Sequence, residues 1–196
     1  MKPFDYVVHL ILSVILIIGV YQFYFFTQRH VWVKIREFNT FLDDKIPYCP
    51  WWSWIYSFLY YPAILYINWT VKDSREFVMI AFSYIILLVM QMSSFVLFPV
   101  KTPDRWRALN RGERYSEKFL LFVRKFDDSS NCFPSMHVSV ATLTALFAQG
   151  ALGPWAFLFP VLIALSCIFT KQHYLLDLPV GAILGWLAYH CYLFMI

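Results

Sequence analysis

Residues 5–26 form a nearly uninterrupted apolar run long enough to cross a bilayer. Further apolar runs follow at about 51–69, 77–99, 134–152, 155–170 and 178–196. Runs of this length read as helices buried in lipid. The expectation is therefore an all-α, polytopic membrane helix bundle: one domain over residues 1–196, with six transmembrane helices and interfacial amphipathic helices between them. Composition agrees. The chain is 60% hydrophobic, 21% aromatic and only 14% charged, with a mean hydropathy of +0.58. A soluble domain of 196 residues could not hide that much apolar side chain. The formal charge of +4 is modest and no soluble basic module is present, so a nucleic-acid partner is not expected. The four cysteines show no metal-ligand spacing.

The connections between the runs carry the polar residues. The first run has no cleavage pattern after it and reads as a retained helix, with His9 in an interhelical hydrogen bond. In residues 27–48, Val31, Ile35, Phe38 and Leu42 share a helical face, which predicts an amphipathic interfacial helix closed by Pro47 and Pro50. Trp51, Trp52, Trp54 and Trp69 mark the edges of the second span as an aromatic belt, and Pro62 kinks it. Gln91, Ser93 and Ser94 are expected to face the bundle. Residues 100–133 form the longest polar connection, with Ser116 as the cap of a second interfacial helix. Pro134 opens the fourth span. The free amides behind it and the Ser135 hydroxyl make an anion site at a helix N-terminus.

Two stretches place imidazoles where the chain enters or leaves the membrane. In Thr170-Lys171-Gln172-His173-Tyr174-Leu175-Leu176-Asp177, the histidine and aspartate share a face if the stretch is helical and oppose each other if it turns. Either way the carboxylate can hold one ring nitrogen and leave the other free as a nucleophile or base. The rival reading is an interfacial salt bridge. The second stretch, Asn131-Cys132-Phe133-Pro134-Ser135-Met136-His137, adds another histidine and argues for a two-histidine phosphoryl-transfer site. Six spans put Lys101, Arg105, His137, Lys171 and His173 on one side of the membrane. Polar groups at that depth need a shared cavity.

Pro134-Ser135-Met136-His137 resembles the P-S-x-H motif of the type 2 phosphatidic acid phosphatase superfamily. Ser166, His173 and Asp177 resemble its S-R-x5-H-x3-D motif, with Cys167 standing at the arginine position. The superfamily's K-x6-R-P motif is not met after Lys101. Residues 98–107 are closer to the F-P-x-x-x-P-R pattern of the inositol phosphorylceramide synthase-type branch, interrupted by Asp104, and Lys171-Gln172-His173 is closer to that branch as well. The resemblance implies a lipid phosphatase or phosphotransferase acting through a phosphohistidine. His173 would be the nucleophile, Asp177 its orienting carboxylate and His137 the general acid and base. Lys171, Ser135, Lys101 and Arg105 would hold the phosphate oxygens, with Lys171 standing in for the missing arginine one turn beyond Cys167 on a continuous fifth helix.

No cofactor and no metal are expected, because the cations and amides supply the positive field. A metal between the histidines is the rival, but only one carboxylate lies nearby in sequence and no further ligand is evident. The substrate would be a phospholipid or prenyl phosphate in the bilayer. A noncatalytic transporter or scaffold is the remaining alternative, disfavoured by the presence of both histidines. Thirteen of the 16 Lys and Arg lie on the catalytic side, which the positive-inside rule assigns to the cytoplasm. The family resemblance implies an extracytoplasmic site, and that expectation is preferred. Cys49 and Cys132 fall on the same side and are expected to be thiol-accessible, with a disulfide between them conceivable there, while Cys167 and Cys191 pack inside the spans.

Overall fold

A computed structural model describes residues 3–126 and 130–196. Helix α1 (Pro3–Arg29) is the first apolar run, and most of its surface faces outward. The chain is then extended until Thr40 caps α2 (Phe41–Lys45), where the Thr40 amide donates to the Asp43 carboxylate and the Asp43 amide to the Thr40 hydroxyl. After a 3-10 turn over Pro50–Trp52 come α3 (Ser53–Phe58) and α4 (Tyr60–Thr70). The break between them lies just where Pro62 predicts it. The proline has no N–H for the Phe58 carbonyl, and its ring crowds that turn.

Asp73 caps α5 (Ser74–Leu97) by accepting the Glu76 amide at 2.8 Å. Two short helices, α6 (Asp104–Arg107) and α7 (Tyr115–Arg124), occupy the long connection. Helix α8 (Met136–Leu152) ends at Gly153, whose φ of 57° suits a residue without a Cβ. A 3-10 turn over Gly153–Phe157 then leads to α9 (Leu158–Phe169), which returns along α8, and α10 (Asp177–Met195) closes the fold.

Among the described residues, four helical stretches are long and apolar enough to cross a membrane: Pro3–Arg29, Ser74–Leu97, Met136–Phe169 and Asp177–Met195. They fit a multi-pass membrane protein. The third is the α8–α9 hairpin, and the α3–α4 segment is broken into pieces too short to qualify alone.

Contacts at the two ends show how the helices alternate in direction. At one end the Tyr6 and Trp69 rings meet edge to face and His9 Nε2 lies 3.3 Å from Ser74 Oγ, the interhelical bond expected of that histidine. At the other end the Asn131 amide donates to Tyr24 O and Thr27 Oγ1, Gln91 Nε2 donates to Pro134 O at 2.6 Å, and the Cys49 amide donates to Phe169 O at 2.8 Å. The connections that hold Lys101, His137 and His173 all meet at this second end.

The closest helix pair is α8 with α10. A Cβ on Gly181 would lie 2.5 Å from Ser135 O, and one on Gly185 would collide with Ser139 O. These two glycines, four apart and one turn from each other, let the backbones touch. That approach sets the start of α10 against the start of α8, which carry Asp177 and His137.

Several local expectations are corrected. Residues 30–39 are not helical. The Arg36 amide donates to Pro99 O, the Lys101 amide to Arg36 O, the Val100 amide to Ser130 O and the Cys132 amide to Val100 O, so three connections are laced by isolated parallel bridges. Ser116 does not cap α7; the Glu117 carboxylate does, accepting the Glu113 amide at 2.8 Å. Pro134 precedes α8, and Ser135 is the N-cap. Gln91 is buried as expected, but Ser93 points outward and bonds its own helix at Val89 O.

Candidate active site

Where α9 ends, Lys171 adopts a left-handed backbone (φ 57°), and the chain turns through Gln172 and His173 before Asp177 starts α10. The turn puts both side chains on one buried spot, with His173 6% exposed and Asp177 0%. Asp177 Oδ2 accepts the Tyr174 amide at 2.8 Å and the Cys132 thiol at 2.9 Å, and lies 3.2 Å from His173 Nδ1. His173 Nδ1 also lies 2.9 Å from Cys132 O. A carbonyl oxygen can only accept, so Nδ1 carries the hydrogen. In the neutral ring Nε2 keeps its lone pair.

That lone pair faces His137, whose Nδ1 is 3.5 Å away. The first turn of α8 presents His137, Tyr56 of α3 places its hydroxyl 3.3 Å from the same Nδ1, and Tyr60 of α4 donates to His137 O at 2.7 Å. The three residues expected to act on phosphorus, His173, His137 and Asp177, thus stand in one cluster. Its arrangement suits a nucleophile, an orienting carboxylate and a proton carrier.

Of the four expected phosphate ligands, Ser135 lies closest to this cluster. It is buried, its amide donates to Asp177 O at 3.1 Å, and its hydroxyl accepts the Val138 amide at 3.4 Å. Lys171 is not on a continuous helix with Cys167, because α9 has ended before it. Its ammonium donates to Asp43 O at 2.5 Å and sits 4.9 Å from the Trp106 ring centroid. Burial lowers its pKa, opposed by the nearby Asp44 and Asp43 carboxylates.

Arg105 forks onto Asp44 at 2.9 and 3.0 Å. The Asp44 carboxyl is held below its ordinary value by hydrogen bonds from Asn39 and Trp106, with Arg105 adding to them. Lys101 is paired at 3.4 Å with both Glu37 and Asp104, and its pKa is raised chiefly by the Asp104 hydrogen bond. Arg105 and Lys171 share an open cleft of about 410 Å³, with Lys45, Tyr48 and Trp106 among its walls. Lys101 lies apart from that cleft, against the loop through its carbonyl, which accepts the Tyr174 hydroxyl at 2.7 Å.

Three groups of residues escaped sequence reasoning. Cys132 supplies both its carbonyl and its thiol to the His173–Asp177 pair, and its place three residues before Ser135 was the available signal. Asp43 is buried and accepts the Leu175 amide at 2.7 Å, so the short α2 holds the His173 turn from outside. Arg124, at the end of α7, donates to Thr170 O at 2.9 Å and to Arg107 O at 3.4 Å. Nothing in the spacing of Asp43 or Arg124 pointed to the loop each one holds.

Cys132 is buried and Cys49 half-buried, and all four cysteines are free, which corrects the expectation that the first two would be equally accessible. A membrane-impermeant thiol reagent is expected to label Cys49, and a cysteine placed by Lys101→Cys, from the same side of oriented vesicles. Cys132 should stay protected until the protein unfolds. Labelling of Cys49 and position 101 from opposite sides would break the shared-end arrangement.

Among the described residues, two sets of donor atoms each lie within 4.8 Å of one another: His137, Cys167 and His173, and Cys132, His173 and Asp177. Comparison with known proteins bears on which chemistry this cluster serves. Searches of curated proteins and of solved structures return no match. The family model described as the PAP2 superfamily matches residues 25–191, a segment that includes every residue of the cluster and of the cleft. With both histidine motifs inside the matched segment, the chain belongs to the PAP2 superfamily, whose members are generally phosphatases.

Proposed function

We propose that this chain is an integral membrane lipid phosphatase that hydrolyses a phosphate monoester or pyrophosphate of a phospholipid or prenyl lipid through a phosphohistidine on His173. The observation that carries the reading is the hydrogen-bonded tautomer of His173. With Nδ1–H committed to Cys132 O and Asp177, the Nε2 lone pair is available to phosphorus.

His173 Nε2 attacks phosphorus, and the P–O bond to the lipid breaks as His137 gives a proton to the leaving oxygen. Asp177 balances the charge on the phosphorylated imidazole. Water then attacks the phosphohistidine, with His137 taking its proton, and inorganic phosphate leaves as His173 returns to its neutral form. Ser135 and Lys171 would orient the nonbridging oxygens, with Arg105 and Lys101 drawing the anionic headgroup to the site. In this reading the helices make six crossings, counting α3–α4 as one and the α8–α9 hairpin as two, and the site faces the extracytoplasmic side. The alternation of helix direction and the gathering of the polar connections at one end support the six crossings, and the extracytoplasmic face follows from the family resemblance.

The test is incubation of the purified protein in lipid vesicles with a panel of lipid phosphates, with and without alcohol acceptors. Release of inorganic phosphate, with an acid-labile phosphoryl label on the wild-type chain that His173→Ala lacks, is the expected result. A phosphodiester product in place of free phosphate would make the enzyme a phosphotransferase. No turnover of any lipid phosphate would reject both.

Lys171 gives a finer check. If its ammonium meets a nonbridging oxygen in the transition state, Lys171→Ala should cost about 2–4 kcal/mol, chiefly in kcat. If it only ties the loop to Asp43 and Trp106, thermal stability should fall while turnover per folded molecule is kept. The second result would leave Arg105 and Lys101 as the cations to test.

A further inference from the structure

His137, His173 and Cys167 come from three separate parts of the site: the first turn of α8, the turn after α9, and the last turn of α9. Their donor atoms all fall within 4.8 Å of one another. Beside the two histidines the sequence alone offered one carboxylate and no further ligand. The fold supplies it in Cys167, which is fully buried and stands at the position where the superfamily motif has an arginine.

The two imidazole nitrogens already have the spacing that a tetrahedral ion demands. They are 3.5 Å apart, and bonds of about 2.0–2.1 Å at a tetrahedral centre put two nitrogens roughly 3.4 Å from each other. The electronic requirement is met at His173, because its Nδ1 hydrogen is committed to Cys132 O and its Nε2 lone pair is turned toward His137. The same hydrogen bond is the outer partner that fixes a metal-ligating histidine in its tautomer. At His137 a hydroxyl able to donate, that of Tyr56, stands 3.3 Å from Nδ1.

The other set, Cys132 with His173 and Asp177, is the poorer one. Its nitrogen is the Nδ1 that already donates to Cys132 O, and its carboxylate already accepts the Tyr174 amide and the Cys132 thiol. Binding there would discard those bonds, where binding at the first set displaces the Tyr56 hydroxyl from His137 Nδ1.

We propose that His137 Nδ1, His173 Nε2 and Cys167 Sγ form a site for a thiophilic divalent cation of the Zn²⁺ class, which occupies the space between the two histidines. Binding forms two N–metal bonds and one S–metal bond, breaks the Cys167 S–H bond and releases one proton per ion. The fourth position stays open to water or an anion. An arginine at position 167 would repel such an ion. The cysteine turns the same spot into a soft ligand and makes the site metal-sensitive.

The binding site stands on this geometry alone. Only its consequence rests on the phosphatase reading: an ion on the His173 lone pair blocks attack on phosphorus, so Zn²⁺ should compete with lipid phosphate.

The experiment titrates the purified full chain with Co²⁺, following the visible d–d bands of a four-coordinate ion and the near-ultraviolet thiolate-to-cobalt charge-transfer band. One ion per chain with both features is expected, displaced by Zn²⁺. In Cys167→Ser the charge-transfer band should vanish and affinity fall at least about 10-fold, whereas in Cys132→Ser the band should persist. X-ray absorption of the Zn²⁺-loaded wild-type protein, which needs no variant to fold, should give one sulfur near 2.3 Å among nitrogen or oxygen neighbours. A first shell without sulfur, or a charge-transfer band that survives Cys167→Ser, overturns the proposal. Metal bound as described with no phosphatase activity would leave this site standing and defeat the phosphatase reading, and activity without metal binding would do the reverse.

Discussion

His173→Ala is expected to reduce lipid phosphate turnover by roughly 10⁶-fold, to the background rate, in a protein that still folds. Loss of a nucleophile that acts as part of a unit removes most of the catalysis the unit supplies. The structural loss is smaller. The histidine ring is tied to the fold through Cys132 O and Asp177, and Asp177 keeps the Tyr174 amide and the Cys132 thiol. Removing such hydrogen bonds costs about 1–3 kcal/mol. Asp177→Asn should be milder and leave measurable activity, with a drop on the order of 10⁴-fold, because the ring loses its orienting charge but not its nucleophilic atom. Phosphate release at the wild-type rate from folded His173→Ala protein would end the phosphohistidine mechanism.

The second large effect lies at the α8–α10 contact. In Gly185→Ala the new Cβ would meet Ser139 O, with Thr142 Cβ at 3.0 Å and the Leu143 amide nitrogen at 3.1 Å. Two of those three neighbours are backbone atoms that no rotamer change can move. The helices must separate, at a cost of about 1–3 kcal/mol for alanine and more for leucine. Gly150→Ala is the control. It lies near the end of α8 with nothing within 4 Å of the added methyl, and should be neutral or stabilising by up to about 1 kcal/mol. Thermal unfolding in one detergent, read for both variants, checks the contrast. Equal stability of the two variants would mean that α8 and α10 do not touch as described. Gly185→Ala should also lower activity in the molecules that stay folded, because the same contact sets Asp177 beside the start of α8.

Much of the architecture was legible because lipid imposes simple demands. Long apolar runs gave α1, α5 and α10 to within three residues at each end, and Pro62 marked where the second run breaks. The two histidines and Asp177 were legible because polar groups at the ends of such runs have few other reasons to be there. The stretch after Arg29 was misread for a physical reason. Val31, Ile35, Phe38 and Leu42 satisfy a helical period, but Val31-Trp32-Val33 is also rich in residues that favour extended backbone. The bonds from Arg36 to Pro99 and Lys101 decide the outcome, and they join positions more than sixty residues apart. Asp43 was illegible for the same reason. Its partner Leu175 lies 132 residues away, and an aspartate in a five-residue helix carries no local sign of that bond. The glycine pair at 181 and 185 had a readable small-residue spacing; which helix it met did not.

The bonds from Asp43 to Leu175 and from Lys171 back to Asp43 have a consequence for how such a protein is made. They span 132 and 128 residues, and the His173 turn depends on a strap synthesised long before it. During translation the strap must wait with Asp43 Oδ1, the oxygen that accepts the Leu175 amide, unmatched until the residues after α9 arrive. A nascent chain stopped just after α9 holds the strap, Arg105 and His137, yet lacks His173 and Asp177. On the proposed mechanism, activity would switch on only as insertion finishes, and a half-built chain would not attack the lipids around the machinery that inserts it.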